Sequence, residues 1–139
     1  MVNAGVLAIL SGLAAQALKV VVELAWRRRW RPRLFFANGG MPSSHTATVV
    51  TLAVLVGGRH GLQDPVFSLV VVFAVYVIFE ATGLRQEIGH QARLLNDLVE
   101  TLRRSHHVDA QDLRVFMGHT WGEVAGGAFC GTVFAVPFL

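Results

Sequence analysis

Four apolar stretches, separated by polar or arginine-rich segments, dominate the pattern of the chain. They cover about residues 6–26, 46–56, 65–79 and 121–139. A helix needs roughly 20 apolar residues to cross a bilayer. The first stretch meets this requirement alone, and the second can be extended by the polar residues that precede it. The pattern predicts an all-α integral membrane protein, with a small bundle of about four membrane helices in a single domain over 1–139.

A polar segment over 83–117 separates the third and fourth apolar stretches. Its apolar side chains recur at steps of three and four residues, at Ile88, Ala92, Leu95, Leu98 and Leu102. This spacing is typical of one face of an amphipathic helix, which we expect on the cytoplasmic side, against the membrane surface or against the bundle. Asp109 with Asp112 resembles a further helix start, and Gly118 a helix end.

Arginines are concentrated in two of the connecting segments. Five follow the first stretch, at positions 27, 28, 29, 31 and 33, and five lie in the polar segment, at positions 85, 93, 103, 104 and 114. Because basic residues favour cytoplasmic loops, both segments are predicted to be cytoplasmic, and the connection over 57–64, which carries only Arg59, to face outside. No positive charge precedes the first stretch, which argues against a cleaved signal peptide.

Composition agrees with a membrane protein. Apolar residues make up 53% of the chain and charged residues 15%, against about 25% charged residues in soluble domains. The net charge of +3 comes from arginines at the ends of apolar stretches, so nucleic-acid binding is not expected. Cys130 is the single cysteine and has no disulfide partner within the chain. We therefore expect a multi-pass protein of the cell (inner) membrane.

The sequence GGMPSSH at 39–45 is the most informative stretch for chemistry. A glycine-rich turn that includes Gly40 leads through Pro42 into a helix start carrying Ser43, Ser44 and His45. Unsatisfied N–H groups at a helix N-terminus bind anions, and the imidazole supplies a proton donor. The alternative is a serine helix cap with a histidine at the membrane interface.

His119 and Glu123 open the last apolar stretch four residues apart, so they share one helix face. A carboxylate bound to one ring nitrogen makes the other a better nucleophile or base. The alternative is an interfacial ion pair. One histidine and one glutamate do not indicate a metal site, and no cofactor is expected.

Two cations are candidates for binding phosphate. Arg85 lies at the end of the third stretch, and its guanidinium has a geometry suited to phosphate, although an ordinary cytoplasmic arginine explains it equally. Lys19, the only lysine, lies within an apolar stretch, where ionisable groups are costly and often functional. It could instead pair with Glu23 or extend to the cytoplasmic face. Further polar residues that could support the site are Glu80, Thr82, Gln86, Gln91 and Asn96.

The predicted topology puts three polar clusters, at 43–45, 80–85 and 119–123, at the cytoplasmic ends of membrane helices. Clusters on three helices at one depth indicate one site. Its imidazoles, hydroxyls, carboxylates and cations suit phosphoryl transfer through a phosphohistidine, with a nucleophile, a general acid and cations for the phosphate oxygens.

Three motifs carry a resemblance to a known family: GGMPSSH at 39–45, ATGLRQ at 81–86 and GHTWGEV at 118–124. In order and spacing, over nearly the whole chain, they are similar to the divergent branch of the type 2 phosphatidic acid phosphatases, also described as acid phosphatase/vanadium haloperoxidase-related. The resemblance implies a metal-independent phosphatase acting on lipid phosphates in a helical bundle. It implies that His45 is the general acid and His119 the nucleophile, with Glu123 replacing the usual aspartate.

The chain departs from the parent superfamily in its phosphate-binding cations. The Arg-Pro pair at 31–32 lacks the lysine expected seven residues before the arginine. Its substitute would be Lys19, Arg33 or Arg85. The arginine expected six residues before the nucleophile is Leu113, with Arg114 one position away, and Glu80 stands where the divergent branch usually has aspartate.

Three functions stay open at this point. The first is an enzyme that dephosphorylates phosphatidic acid, phosphatidylglycerophosphate or polyprenyl phosphates from the cytoplasmic side. The second is a non-catalytic protein that binds or carries an anionic lipid in the same pocket. The third is a structural or assembly subunit that uses its polar segment as an interface. The expected partners are the lipid phosphate and the bilayer, and the lateral surface leaves room for a homodimer.

Overall fold

The computed structural model describes residues 2–28, 30–36, 39–106 and 118–139, with side chains except at positions 27, 84, 85, 105 and 106. The described chain is helical and contains no strand, which confirms the predicted all-α class. Its five α-helices are α1 (Ala4–Arg27), α2 (Ser44–His60), α3 (Pro65–Phe79), α4 (Arg85–His106) and α5 (Trp121–Ala135). A π-helical turn, Glu80–Leu84, joins α3 to α4, and short 3-10 helices cover Pro32–Phe36 and Val136–Phe138.

Side-chain caps define where the helices begin. The Asn3 Oδ1 accepts hydrogen bonds from the N–H groups of Gly5 and Val6, at 2.8 and 3.4 Å. The Asp64 Oδ1 accepts one from Val66 at 2.7 Å, and Pro65 occupies the first position of α3. These are the residue types that satisfy the free N–H groups of a first helical turn.

Helix α2 lies at the centre of the bundle and packs against α1, α3 and α5. Helix α5 approaches it through two glycines one turn apart. A Cβ at Gly131 would lie 2.5 Å from the Ala47 carbonyl oxygen, and one at Gly127 would collide with the Ser43 carbonyl oxygen. Small residues at a helix contact let the two backbones approach closely, as is common between membrane helices.

Hydroxyl groups join three helices in the middle of this contact. The Ser11 Oγ of α1 donates to the Ala47 carbonyl at 3.1 Å. The Thr51 hydroxyl of α2 lies 2.7 Å from the Ser11 Oγ and 2.9 Å from the Gly131 carbonyl oxygen. The backbone contact between α2 and α5 is therefore reinforced by polar side chains that are themselves buried.

Arg59 marks one end of the bundle. From the last turn of α2, its guanidinium donates to the carbonyls of Val2, before α1, and Phe138, after α5, both at 2.8 Å. The N-terminus of α1 and the C-termini of α2 and α5 therefore lie together. Helices α2 and α5 run parallel to each other and antiparallel to α1, so both begin at the opposite end of the bundle.

Among the described residues, two helical stretches are long and apolar enough to cross a membrane, Ala4–Trp26 and the continuous run Pro65–Arg104. Helices α2 and α5 are shorter, with 17 and 15 residues. Only Ala74 of α3 is buried, and its exposed side chains are large and apolar, including Leu69, Phe73, Val75, Tyr76 and Phe79. Soluble monomers rarely expose a continuous apolar surface of this kind.

The helix boundaries differ from the sequence predictions at two places. Helix α2 continues to His60, so residues 57–60, expected in a connection, are helical. The final stretch ends as an α-helix at Ala135 and changes to a 3-10 helix. The predicted further helix at Asp109 and Asp112 lies outside the described residues.

The predicted amphipathic helix is confirmed as α4, which continues from α3. Its large apolar side chains are exposed: Ile88, Leu94, Leu95, Leu98 and Leu102. Within the described part of the chain α4 packs mainly on the π turn that precedes it and has no extensive contact with α1, α2 or α5. Of the two predicted positions for this apolar face, the described residues do not support the one against the bundle, and the one against the membrane surface stays a prediction.

The close contact between α2 and α5 makes Gly131 intolerant of a single methyl group. We expect Gly131→Ala to destabilise the protein by about 1–3 kcal/mol, because the added Cβ overlaps backbone that cannot move independently. Gly122→Ala is the matched control on α5. A Cβ at Gly122 would have the Thr120 Oγ1, at 3.9 Å, as its nearest neighbour, so the added methyl group fits. Thermal unfolding in detergent measures both variants, and equal or higher stability of Gly131→Ala would contradict this packing.

Candidate functional site

The candidate site lies at the end of the bundle where α2 and α5 begin. Its centre is His119, just before α5, which is only 1% exposed. The His119 N–H donates to the Ala81 carbonyl at 2.9 Å, and the Gln86 Nε2 donates to the His119 carbonyl at 3.0 Å. Gly118 fits tightly here, because a Cβ would lie 2.9 Å from the Gln86 backbone nitrogen. The junction of α3 and α4 therefore holds the His119 backbone on both of its polar groups.

A carboxylate orients the His119 ring. The Glu123 Oε2 lies 2.8 Å from the His119 Nδ1. The same carboxylate accepts the Thr120 N–H at 3.2 Å, while the Thr120 Oγ1 accepts the Glu123 N–H at 3.3 Å, forming a capping box. An ionised carboxylate can only accept, so Nδ1 carries the proton, and in the neutral ring Nε2 presents its lone pair. That Nε2 is buried and has no hydrogen-bond partner among the described residues.

The second imidazole lies beside the first. His45 belongs to the first turn of α2, and its ring centroid is 5.9 Å from that of His119, with 60° between the ring planes. The Ser43 N–H donates to the Glu123 carbonyl at 3.0 Å, which ties the start of α2 to the first turn of α5. This contact sets the separation of the two rings.

A cavity of about 340 Å³, with three charged side chains in its lining, opens beside Glu123. It is lined by Lys19, Val22, Glu23, Trp26, Leu34, Gly40, Met41 and Glu123. Lys19 is 3% exposed and interacts electrostatically with Glu123. Gly40 has a φ of 90°, which favours glycine. A Cβ at this position would lie 3.2 Å from the Lys19 Cδ, so the absence of a side chain leaves room for the Lys19 stem.

A groove of about 440 Å³ runs between α1, α2 and α3 on another side of the site. It is lined by Ile9, Gly12, Leu13, Gln16, Ser44, His45, Thr48, Val49, Phe73 and Val77. Most of these side chains are apolar. His45 lines this groove, whereas Glu123, which bonds the His119 ring, lines the cavity that contains Lys19.

Several residues singled out in the sequence come together at this end of the bundle. They are His45, His119, Glu123, Lys19, Gly40 and Gln86. Ser44 is buried and lines the groove. Ser43 is fully buried, and its Oγ accepts the Thr46 N–H at 3.3 Å. Ser43 therefore acts as a helix cap, which was the alternative to an anion-binding role. Arg85 begins α4, and its side chain is among those not described.

Other candidates lie away from the imidazoles or serve the helix itself. The Thr82 Oγ1 donates to the Ile78 carbonyl at 2.9 Å, within its own helix. Glu80 and Gln91 are exposed. Asn96 lies ten residues beyond Gln86 on α4, roughly 15 Å along the axis.

Three further residues shape the site without having been singled out individually in the sequence. They are Ala81, Thr120 and Gln16. The Thr-x-x-Glu spacing before an apolar stretch is a capping-box signature and indicates Thr120. Gln16 could have been noticed as an amide within an apolar stretch. Ala81 contributes only a carbonyl and therefore has no signal of its own. Gly118, predicted as a helix end, contributes the absence of a side chain.

The comparisons with known proteins agree with the motifs at this site. The profile named Divergent PAP2 family matches residues 3–134. This chain belongs to the divergent PAP2 family. It is also 34% identical, over 144 aligned residues, to the uncharacterized membrane protein YuiD of Bacillus subtilis (strain 168), with 92% of this chain and 90% of that protein covered. No solved structure matches the chain.

The Glu123 contact makes a prediction about the His119 tautomer that needs no substrate. In histidine-labelled protein, ¹⁵N NMR at a pH where the ring is neutral should show the proton on Nδ1. Glu123→Leu should shift it towards Nε2, because the acceptor is lost. Glu23→Leu removes a carboxylate from the same cavity and serves as the control. The His119 signal is assigned by its loss in His119→Asn, and an unchanged tautomer in Glu123→Leu would refute the orienting role.

Proposed function

We propose that this protein is a membrane lipid-phosphate phosphatase that works through a phosphohistidine. The observation that carries the proposal is the buried His119 Nε2, which has no partner among the described residues and whose lone pair is fixed by the Glu123 carboxylate on the other nitrogen. An unpaired polar atom in a buried site is unfavourable and is expected where the atom has to react. Membership of the divergent PAP2 family supports the same chemistry.

In the first step, the His119 Nε2 attacks the phosphorus of a lipid phosphate. The bond from phosphorus to the lipid oxygen breaks, and His45 gives its proton to that oxygen, so the lipid leaves as an alcohol. Water then attacks the phosphohistidine and gives a proton to His45, the P–N bond breaks, and phosphate leaves. General acid–base assistance of this kind contributes about 10²–10⁴-fold in rate, and the 5.9 Å between the rings allows both histidines to act on one phosphate.

The surroundings offer positive potential to the phosphate. The start of α2 carries the positive end of the helix dipole, and it lies at Ser44 and His45. The Lys19 amino group interacts electrostatically with Glu123, and Arg85 begins the next helix. We propose these groups, with Gly40 keeping the loop close to Lys19, as substitutes for the missing cations of the parent superfamily.

We further propose that α1, α2, α3 and α5 all cross the membrane. Helix α2 is about 25 Å long, and α5 with its 3-10 extension about 28 Å, close to the roughly 30 Å of the hydrocarbon core. The hydroxyl network lies inside the bundle and the apolar side chains outside. Arginine placement then orients the active end towards the cytoplasm. The YuiD protein is itself named a membrane protein.

This orientation predicts that the turn between α2 and α3 faces outside. Leu62 is 67% exposed and suits labelling, whereas Gly61 has a positive φ of 91° that a cysteine would strain. In a protein with Cys130→Ser, Leu62→Cys should react with an impermeant maleimide added to intact cells. A cysteine at Ser105, at the end of α4, should react only after the cells are opened. The reverse pattern would exclude the proposed orientation.

His119→Asn should abolish phosphate release, because no phosphohistidine can form, while Glu123→Gln should slow release, since the amide oxygen still accepts the Nδ1 proton. Phosphate release from phosphatidic acid, phosphatidylglycerophosphate and polyprenyl phosphate or diphosphate in detergent is the measurement. His90→Asn, an exposed histidine on α4, is the control. Undiminished turnover by His119→Asn would refute the mechanism. If the unmodified protein binds these lipids and hydrolyses none, it is an anionic-lipid binding protein.

A further inference from the structure

The groove between α1, α2 and α3 reaches one of the two imidazoles from the side of the bundle. Of the two histidines, only His45 lines it. If His45 protonates the leaving oxygen, as the proposed function holds, the remainder of the leaving alcohol must extend from the His45 side. The groove of about 440 Å³ has the size of a small-molecule site, since such sites usually measure about 300–1,000 Å³.

One side chain in this groove is chemically out of place. Gln16 presents an amide in a groove that is apolar apart from Ser44, His45 and Thr48 of α2. Its Oε1 is buried and has no hydrogen-bond partner among the described residues. Buried amide oxygens are almost always paired, so a donor supplied by a ligand would satisfy this one.

The antiparallel register of α1 and α2 puts Gln16 at the level of His45. Gly12 of α1 contacts Thr48 of α2, and the Lys19 stem contacts Gly40. Gln16 lies one turn after Gly12 and therefore beside the first turn of α2. A group that meets the Gln16 amide would be close to the oxygen that His45 protonates, within the same part of the substrate.

We propose that this groove is the leaving-group subsite, and that Gln16 selects lipid alcohols that carry a free hydroxyl close to the phosphoester. The apolar chain of the alcohol lies along Leu13, Phe73 and Val77, and the hydroxyl donates to the Gln16 Oε1. Substrates without such a donor leave the amide unpaired and are used less well. This inference depends on the proposed function, because it assigns the His45 side of the site to the alcohol.

The test compares two lipids that differ by one hydroxyl: a monoacylglycerol phosphate with a free secondary hydroxyl, and its deoxy analogue with the same chain. The unmodified protein in detergent should show a kcat/KM for the hydroxylated lipid higher by about tenfold or more, because sites built for a hydrogen bond reject analogues that lack it. Gln16→Met, of similar length and without the amide, should bring the ratio close to one. An equal use of both lipids by the unmodified protein, or an unchanged ratio in Gln16→Met, overturns the role of Gln16.

A second pair of variants tests the groove itself. Val77→Trp fills it from α3 and should lower the kcat/KM of both lipids relative to that of p-nitrophenyl phosphate, which has no apolar chain. Val75→Trp is the matched control, because Val75 lies on the same helix, is 61% exposed and does not line the groove. Equal effects of the two tryptophans would place the lipid chain elsewhere and overturn the subsite.

The two proposals fail in different ways. If p-nitrophenyl phosphate is hydrolysed and the lipid pair is not discriminated, the leaving-group subsite is wrong and the phosphatase stands. If nothing is hydrolysed, the proposed phosphatase function is wrong. Equilibrium binding of the same two lipids then tests whether the groove recognises the hydroxyl. Tighter binding of the hydroxylated lipid, lost in Gln16→Met, supports recognition by Gln16, whereas equal binding overturns it.

Discussion

The parallel contact between α2 and α5 is the constraint on which the site depends. Gly127 and Gly131 bring the backbone of α5 against that of α2, and the Ser43 N–H bonds the Glu123 carbonyl at the first turns. Because the two helices run in the same direction, both begin at one end of the bundle. Side chains at these two starts, His45 and His119, are thereby brought together, with 5.9 Å between the ring centroids. An antiparallel pair would have separated them by the length of a helix.

Around this contact, three hydrogen bonds hold His119, while its Nε2 has no partner among the residues that the structure describes. The His119 N–H bonds Ala81, its carbonyl accepts from Gln86, and its Nδ1 bonds Glu123. Each bond removes a freedom of the ring, so that little reorganisation remains when a phosphate arrives. The π turn contributes here, because it provides the Ala81 carbonyl to a residue outside the helix. The structural function of that turn is therefore to position the nucleophile proposed for this site.

The two spaces near the histidine pair differ in chemistry. Lys19, Glu23 and Glu123 contribute charged groups to one cavity, and a mostly apolar groove with a single amide adjoins His45. A phosphate monoester of a lipid has the same asymmetry, with a charged end and an apolar end. The arrangement accordingly suits a substrate that enters from the bilayer and reacts at its boundary with water.

The sequence by itself determined the helices and the pairing of groups along each helix. Its apolar stretches predicted the all-α class, the bounds of α3 agree with the predicted 65–79, and the four-residue spacing of His119 and Glu123 is met by a direct hydrogen bond. Periodicity and spacing act within one helix, so a pattern in the sequence is sufficient to detect them. The tertiary structure decided which helices touch, how Lys19 approaches Glu123, and that the carbonyl of Ala81 holds His119. Those contacts depend on glycine clearances and backbone groups, which have no side-chain signature, so only the packed helices could reveal them.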